Sequence, residues 1–106
     1  MARVLLNAPK TAKRGDVIEI RALIAHPMET GFRPGMDGRI LPRDIITSFV
    51  CSYNGAEVFR AEYFPATSAN PYIVFTTRAT ESGTLELTWS GDNGFAQTEK
   101  IAIEVT

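Results

Sequence analysis

Apolar and polar residues alternate with a period of two along most of this chain, and nothing else in the sequence narrows its possible folds so far. Thr84 to Ser90 is the cleanest instance: Leu85, Leu87 and Trp89 fall on one side, and Thr84, Glu86, Thr88 and Ser90 on the other. The same phase runs through Ile18, Ile20, Ala22, Ile24 and His26, which share a face opposite Glu19 and Arg21. In Ile45 to Tyr53 the positions Ile45, Phe49, Cys51 and Tyr53 oppose Ile46, Ser48, Val50 and Ser52. Phe59, Ala61 and Tyr63, then Ile73 and Phe75, then Ile101, Ile103 and Val105 complete the inward sets. A helix would need its apolar residues three and four apart, and such spacing is almost nowhere present.

Asn54-Gly55 falls between two of these runs. This dipeptide is the strongest short-range signal for a hairpin, because both of its residues tolerate positive φ. Asp92-Asn93-Gly94 supplies another turn before the last run. With Arg3 to Ala8 at the start, the pattern predicts seven strands, and turn signals roughly every 8 to 12 residues are those of a sandwich. The expected fold is therefore all-β, a seven-stranded antiparallel immunoglobulin-like β-sandwich, as a single domain over residues 1–106. The cysteine pair that marks antibody domains is missing, so the likeness is one of architecture.

The reactive inventory is small. Cys51, His26 and Trp89 are each the single residue of their type, so an internal disulfide and a zinc site of four Cys or His ligands are excluded within one chain. His26 has no second His or paired carboxylate motif beside it, which favours a structural ring over a base or a metal ligand. Cys51, between Phe49 and Tyr53 on the inward face, is expected to be a buried and unreactive thiol. No catalytic residue, metal site or cofactor is expected. Eleven basic against twelve acidic residues argue against nucleic acid as a partner. No stretch of 18 apolar residues occurs, so no membrane segment is expected, and the N-terminus alone reads as cytoplasmic.

His26 to Arg43 breaks the pattern. These 18 residues hold three prolines and three glycines and no strand alternation, a length unusual inside a small domain unless it serves a function. Phe32, Met36, Arg33, Arg39 and Arg43 are residue types that concentrate in protein interfaces, so the segment is expected to contact a partner. His26, Pro27, Met28 and Glu29, together with Asn70 in the second proline-bounded loop, join them as candidates. Val4, Leu6, Val50 and Val58 are expected on outward faces, at the centre of a partner interface.

Four segments, His26–Gly31, Phe49–Gly55, Ser68–Tyr72 and Ala79–Thr84, in this order and across essentially the whole chain, resemble the SoxZ family. That resemblance implies the non-catalytic subunit of the SoxYZ sulfur carrier, an immunoglobulin-like sandwich paired with a SoxY subunit. In the family the partner carries the sulfur substrate on a cysteine in a glycine-rich tail, and the Sox enzymes make transient contacts with the complex. This chain ends Ile103-Glu104-Val105-Thr106, without such a tail. The resemblance also implies a periplasmic location through co-export with the partner, which reverses the cytoplasmic expectation. A generic β-sandwich binding or adhesion module is the alternative; it would show exposed aromatics, whereas Trp89 faces inward in the pattern.

Overall fold

The computed structural model describes residues 2–106 and folds them into two facing sheets. One holds β1 (Val4–Asn7), β3 (Val17–Ile24) and β6 (Tyr72–Arg78), in the order β1-β3-β6. The other holds β2 (Thr11–Ala12), β4 (Ile46–Tyr53), β5 (Ala56–Glu62), β7 (Gly83–Gly91) and β8 (Ala96–Val105), in the order β2-β8-β7-β4-β5. The all-β sandwich expected from the alternation is present, with eight strands rather than seven. The additional strand is β2, whose two residues are too few to show any period. It pairs in parallel with the end of β8, Thr11 opposite Glu104, whereas every other pairing of named strands is antiparallel. The chain thus changes sheet between Asn7 and Thr11, across Pro9.

Ile20, Ile24, Phe49, Leu85, Leu87 and Trp89 are sealed between the sheets, and each such side chain stabilises the fold by about 1.5–3 kcal/mol relative to exposure. Phe49 is the centre of an aromatic group, 5.0 Å from Trp89 and 5.7 Å from Phe75 between ring centres. Phe75 in turn stacks on Phe59 at 4.5 Å, which ties β6 of one sheet to β5 of the other.

Two phases differ from expectation. Ile46 was expected outward and is fully buried beside Ile45. Between Ile46 and Ser48 the pairing with β7 slips by one residue, so the bulge turns two successive isoleucines into the core. Val4 and Leu6 were expected outward and instead pack against the core, while Leu5 is exposed. The cause is register: Val4 pairs with Ile24 and Leu6 with Ala22, and directly opposed residues of a pair share a face. Val50 does face outward, half-buried, and Val58 lies exposed at a second bulge, where Cys51 pairs with Phe59 but Ser52 with Glu57.

The Asn54-Gly55 hairpin forms with φ of 48° and 86° at its two residues. The preceding Tyr53 fastens this same end of the sandwich, because its hydroxyl accepts from the backbone N–H groups of Thr80 and Glu81 and donates to the Glu81 carbonyl. Overall the molecule measures 58 × 20 × 19 Å. Its radius of gyration of 16.1 Å exceeds the ~13 Å of a rounded domain of this length.

Candidate functional site: a finger rooted on His26

His26 lies two residues beyond β3, still in the core-facing phase, and organises the base of the proline-rich segment. Its backbone N–H donates to Asn70 Oδ1 at 3.0 Å, and the Asn70 N–H donates to the His26 carbonyl at 2.8 Å. Asn70 does this at φ 53°, a left-handed conformation that Asn tolerates better than most residues. The Met28 N–H then donates to His26 Nδ1 at 3.0 Å. With Nδ1 taken up as an acceptor, the ring presents Nε2 on its other side, 3.9 Å from Asp44 Oδ1. The ring stands T-shaped to Phe95, with 5.0 Å between ring centres. Met28 itself takes φ 51° and buries its thioether, where Sδ accepts from the Ile46 N–H at 3.3 Å.

From this root the chain runs out and returns as an irregular hairpin, where the sequence suggested a loop without pattern. Glu29 and Asp44 exchange both backbone hydrogen bonds, at 2.9 and 2.8 Å. Further out, the Leu41 N–H donates to the Arg33 carbonyl at 2.8 Å and the Gly35 N–H to the Arg39 carbonyl at 2.7 Å. Gly31 permits the two arms to close, since it has φ 87° and any Cβ there would sit 3.0 Å from that of Arg43. At the base the Arg43 guanidinium forks onto Asp92, with contacts of 2.8 and 2.9 Å, and Asp92 also accepts the Ile45 N–H at 3.1 Å. Those donors hold the Asp92 carboxyl below its ordinary 3.8. Arg33 grips Glu29 at 2.6 Å and lowers that carboxyl in the same way.

The candidate residues therefore divide into two groups. His26, Met28, Glu29, Arg43 and Asn70 build the root, and His26 and Met28 are buried there. Phe32, Met36 and Arg39 stand in solvent along the finger, Phe32 80% exposed and Met36 completely so. The Arg39 guanidinium comes no nearer than 3.9 Å to Asp37, whose carboxylate accepts the Arg39 backbone N–H at 3.0 Å; Arg33 is mostly exposed beyond its pair, and Pro27 is exposed between two buried neighbours. Sequence reasoning missed Asp92 and Phe95, which complete the root from distant positions, and Ile40, a third exposed apolar side chain of the finger; Asp44, next to Arg43, joins the root as well. Ile40 carried a signal, being an aliphatic residue among glycines and prolines; Asp92 carried none, because only folding brings it to Arg43.

A second apolar surface lies on the outside of the smaller sheet. Leu5, Leu23 and Tyr72 form one cross-strand row there, with Val74 nearby. It replaces the surface expected from Val4 and Leu6.

Cys51 is fully buried, and burial pushes its thiol up to about 11. A sealed thiol that keeps its proton is a poor nucleophile and a poor metal ligand. Among the described residues no three His, Cys, Asp or Glu side chains gather where they could hold a metal ion.

Fold and site together define a small β-sandwich protein that seals its single thiol and exposes apolar side chains on a projecting finger. The chain belongs to the SoxZ family: the family model described as "Sulphur oxidation protein SoxZ" matches residues 6–102, nearly the whole chain, and places it in the Sox sulphur-oxidation system. No curated protein sequence matches it significantly. Several solved structures share its fold. The sulfur carrier protein SoxY from Chlorobium limicola f thiosulfatophilum superposes with a TM-score of 0.67 at 13% identity, over 97% of this chain and 78% of that one. A superoxide reductase (neelaredoxin) from Ignicoccus hospitalis gives 0.72 at 15% identity, over 99% and 82%. A putative superoxide reductase from Thermotoga maritima gives 0.66 at 15% identity, over 97% and 85%. At such identities the likeness is one of fold alone.

Proposed function

We propose that this chain is the non-catalytic subunit of a heterodimeric sulfur carrier, binding a SoxY-type partner whose own cysteine bears the substrate while the Sox enzymes visit in turn. The finger is the observation that carries this reading. Phe32, Met36 and Ile40 stand in water on a hairpin held by cross-arm backbone bonds and by the Arg43–Asp92 fork. Apolar surface gains about 25 cal/mol for each Å² covered, and Met, Phe and Arg are types enriched where proteins bind one another. A carrier's own sulfur must be accessible to successive enzymes, and the sealed Cys51 is not, which favours a partner as the bearer. The family membership supports the Sox assignment. A periplasmic location reached together with the partner is part of the same proposal.

Co-expression with a SoxY-type partner is expected to give one species on size exclusion at micromolar concentration. Replacing Phe32→Ser and Met36→Ser together is expected to weaken that complex on the order of tenfold or more, as loss of central apolar anchors does. The melting temperature of the isolated chain should barely move, because both side chains are already solvated. Persistent separate monomers would refute the reading, and a complex indifferent to both substitutions would remove the finger from it.

A further inference from the structure

We infer that the SoxY-type partner adds an extended strand to the free edge of β8, an inference that rests on the proposed function and specifies how the partner docks. β8 is the longest strand, ten residues, and its pairing with β7 is unbroken from Ser90↔Ala96 to Gly83↔Ile103. On its other side, among the described residues, only Glu104 and Val105 are paired, by the two-residue β2. The Glu104 N–H points to that side, donating to the Lys10 carbonyl at 2.9 Å. Residues two apart in a regular strand aim their backbone groups the same way, so Thr98, Lys100 and Ala102 present their N–H and C=O groups to that edge. Between Ala96 and Ala102 this edge runs for roughly 20 Å.

Only an extended peptide matches such a row of alternating donors and acceptors, and shallow depressions flank it where side chains of an added strand would seat. One is lined by Phe95, Ala96 and Thr98, the other by Lys10, Ile101 and Ile103. The edge is also continuous with the finger, since Phe95, next to the start of β8, packs on His26 at the finger's root. One partner can therefore engage both surfaces.

The remaining sheet edges are poorer templates. β1 has four residues, β5 is bulged at Val58 and carries the Glu57–Arg60 pair, and β6 has seven residues against the ten of β8. A second copy of this chain fits β8 badly. Antiparallel registers that overlap the whole stretch set the two Lys100 side chains opposite or diagonal to each other, and like charges so placed repel.

Amide hydrogen exchange of the full chain, alone and in complex with the SoxY-type partner, tests this. Binding is expected to slow the Thr98, Lys100 and Ala102 amides by about tenfold or more, while Gln97, Glu99 and Ile101, already bonded to β7, change little. Lys100→Pro, which removes an edge N–H that has no partner among the described residues, is expected to weaken the complex on the order of tenfold, and Lys100→Ala to leave it nearly unchanged. If the proline variant loses its sheet signal in circular dichroism, the exchange pattern of the unmodified chain decides. A complex that forms without slowing those three amides overturns the inference and leaves the proposed function standing; failure of any complex to form overturns both. Concentration-dependent protection of the same amides in the isolated chain would assign the edge to a second copy and also overturn it.

Discussion

Replacing His26→Phe tests the root of the finger at a single hydrogen bond. Phenylalanine keeps a flat ring of similar size against Phe95 but offers nothing at the position of Nδ1, so the buried Met28 N–H loses its acceptor. An unpaired buried N–H costs about 1–3 kcal/mol. In a chain of this length each kcal/mol lowers the melting temperature by about 4–8 °C, so a drop of roughly 5–20 °C is expected. Met28 holds φ 51° and Glu29 follows it into the first rung of the finger, so the loss should be felt locally as well. The Met28 amide is expected to exchange much faster, with the Glu29 and Asp44 amides following. His26→Asn is the control, because an asparagine Oδ1 reaches a position close to that of the imidazole Nδ1. It should keep the Met28 amide slow while losing the ring contact with Phe95, worth about 0.5–1.5 kcal/mol. A phenylalanine variant that melts within a degree or two of the parent and leaves the Met28 amide protected would refute the role given to His26.

Two further expectations concern the sealed groups. Because burial raises the Cys51 thiol from its ordinary 9.0 to about 11, the unfolded chain loses this proton first; stability is unaffected below pH 9 and declines as pH rises from there toward 11. Urea midpoints at pH 7 and pH 10 should show this decline in the parent and a smaller one in Cys51→Val, and equal declines in both would show that the thiol contributes nothing. Tyr53→Phe removes the hydroxyl that serves Thr80 and Glu81 without changing the packing of the ring, and should cost about 1–3 kcal/mol in urea denaturation; a change under about 0.5 kcal/mol would contradict the anchoring role.

Local chemistry alone determined much of this protein. A period of two is a property of the strand itself, so the inward phase of Ile20, Leu85, Leu87, Trp89, Cys51 and His26 was readable without a partner strand. The Asn54-Gly55 turn was equally readable, since positive φ is a preference of those residues. The four SoxZ-like segments were also present in the bare sequence.

Tertiary structure decided whatever depends on a neighbour. Leu5 rather than Leu6 faces outward because Ala22 and Ile24 across the pair set the phase of β1. Ile46 turns inward because β7 slips past it. The proline-rich segment is a finger rather than a loose loop because Glu29 meets Asp44, and Arg43 meets Asp92 from 49 residues away. The free edge of β8 exists only because β2 ends after two residues. Backbone pairing and ion pairs between distant residues leave no period in the sequence, so the elements could be read from it while the surfaces they offer to a partner required the fold.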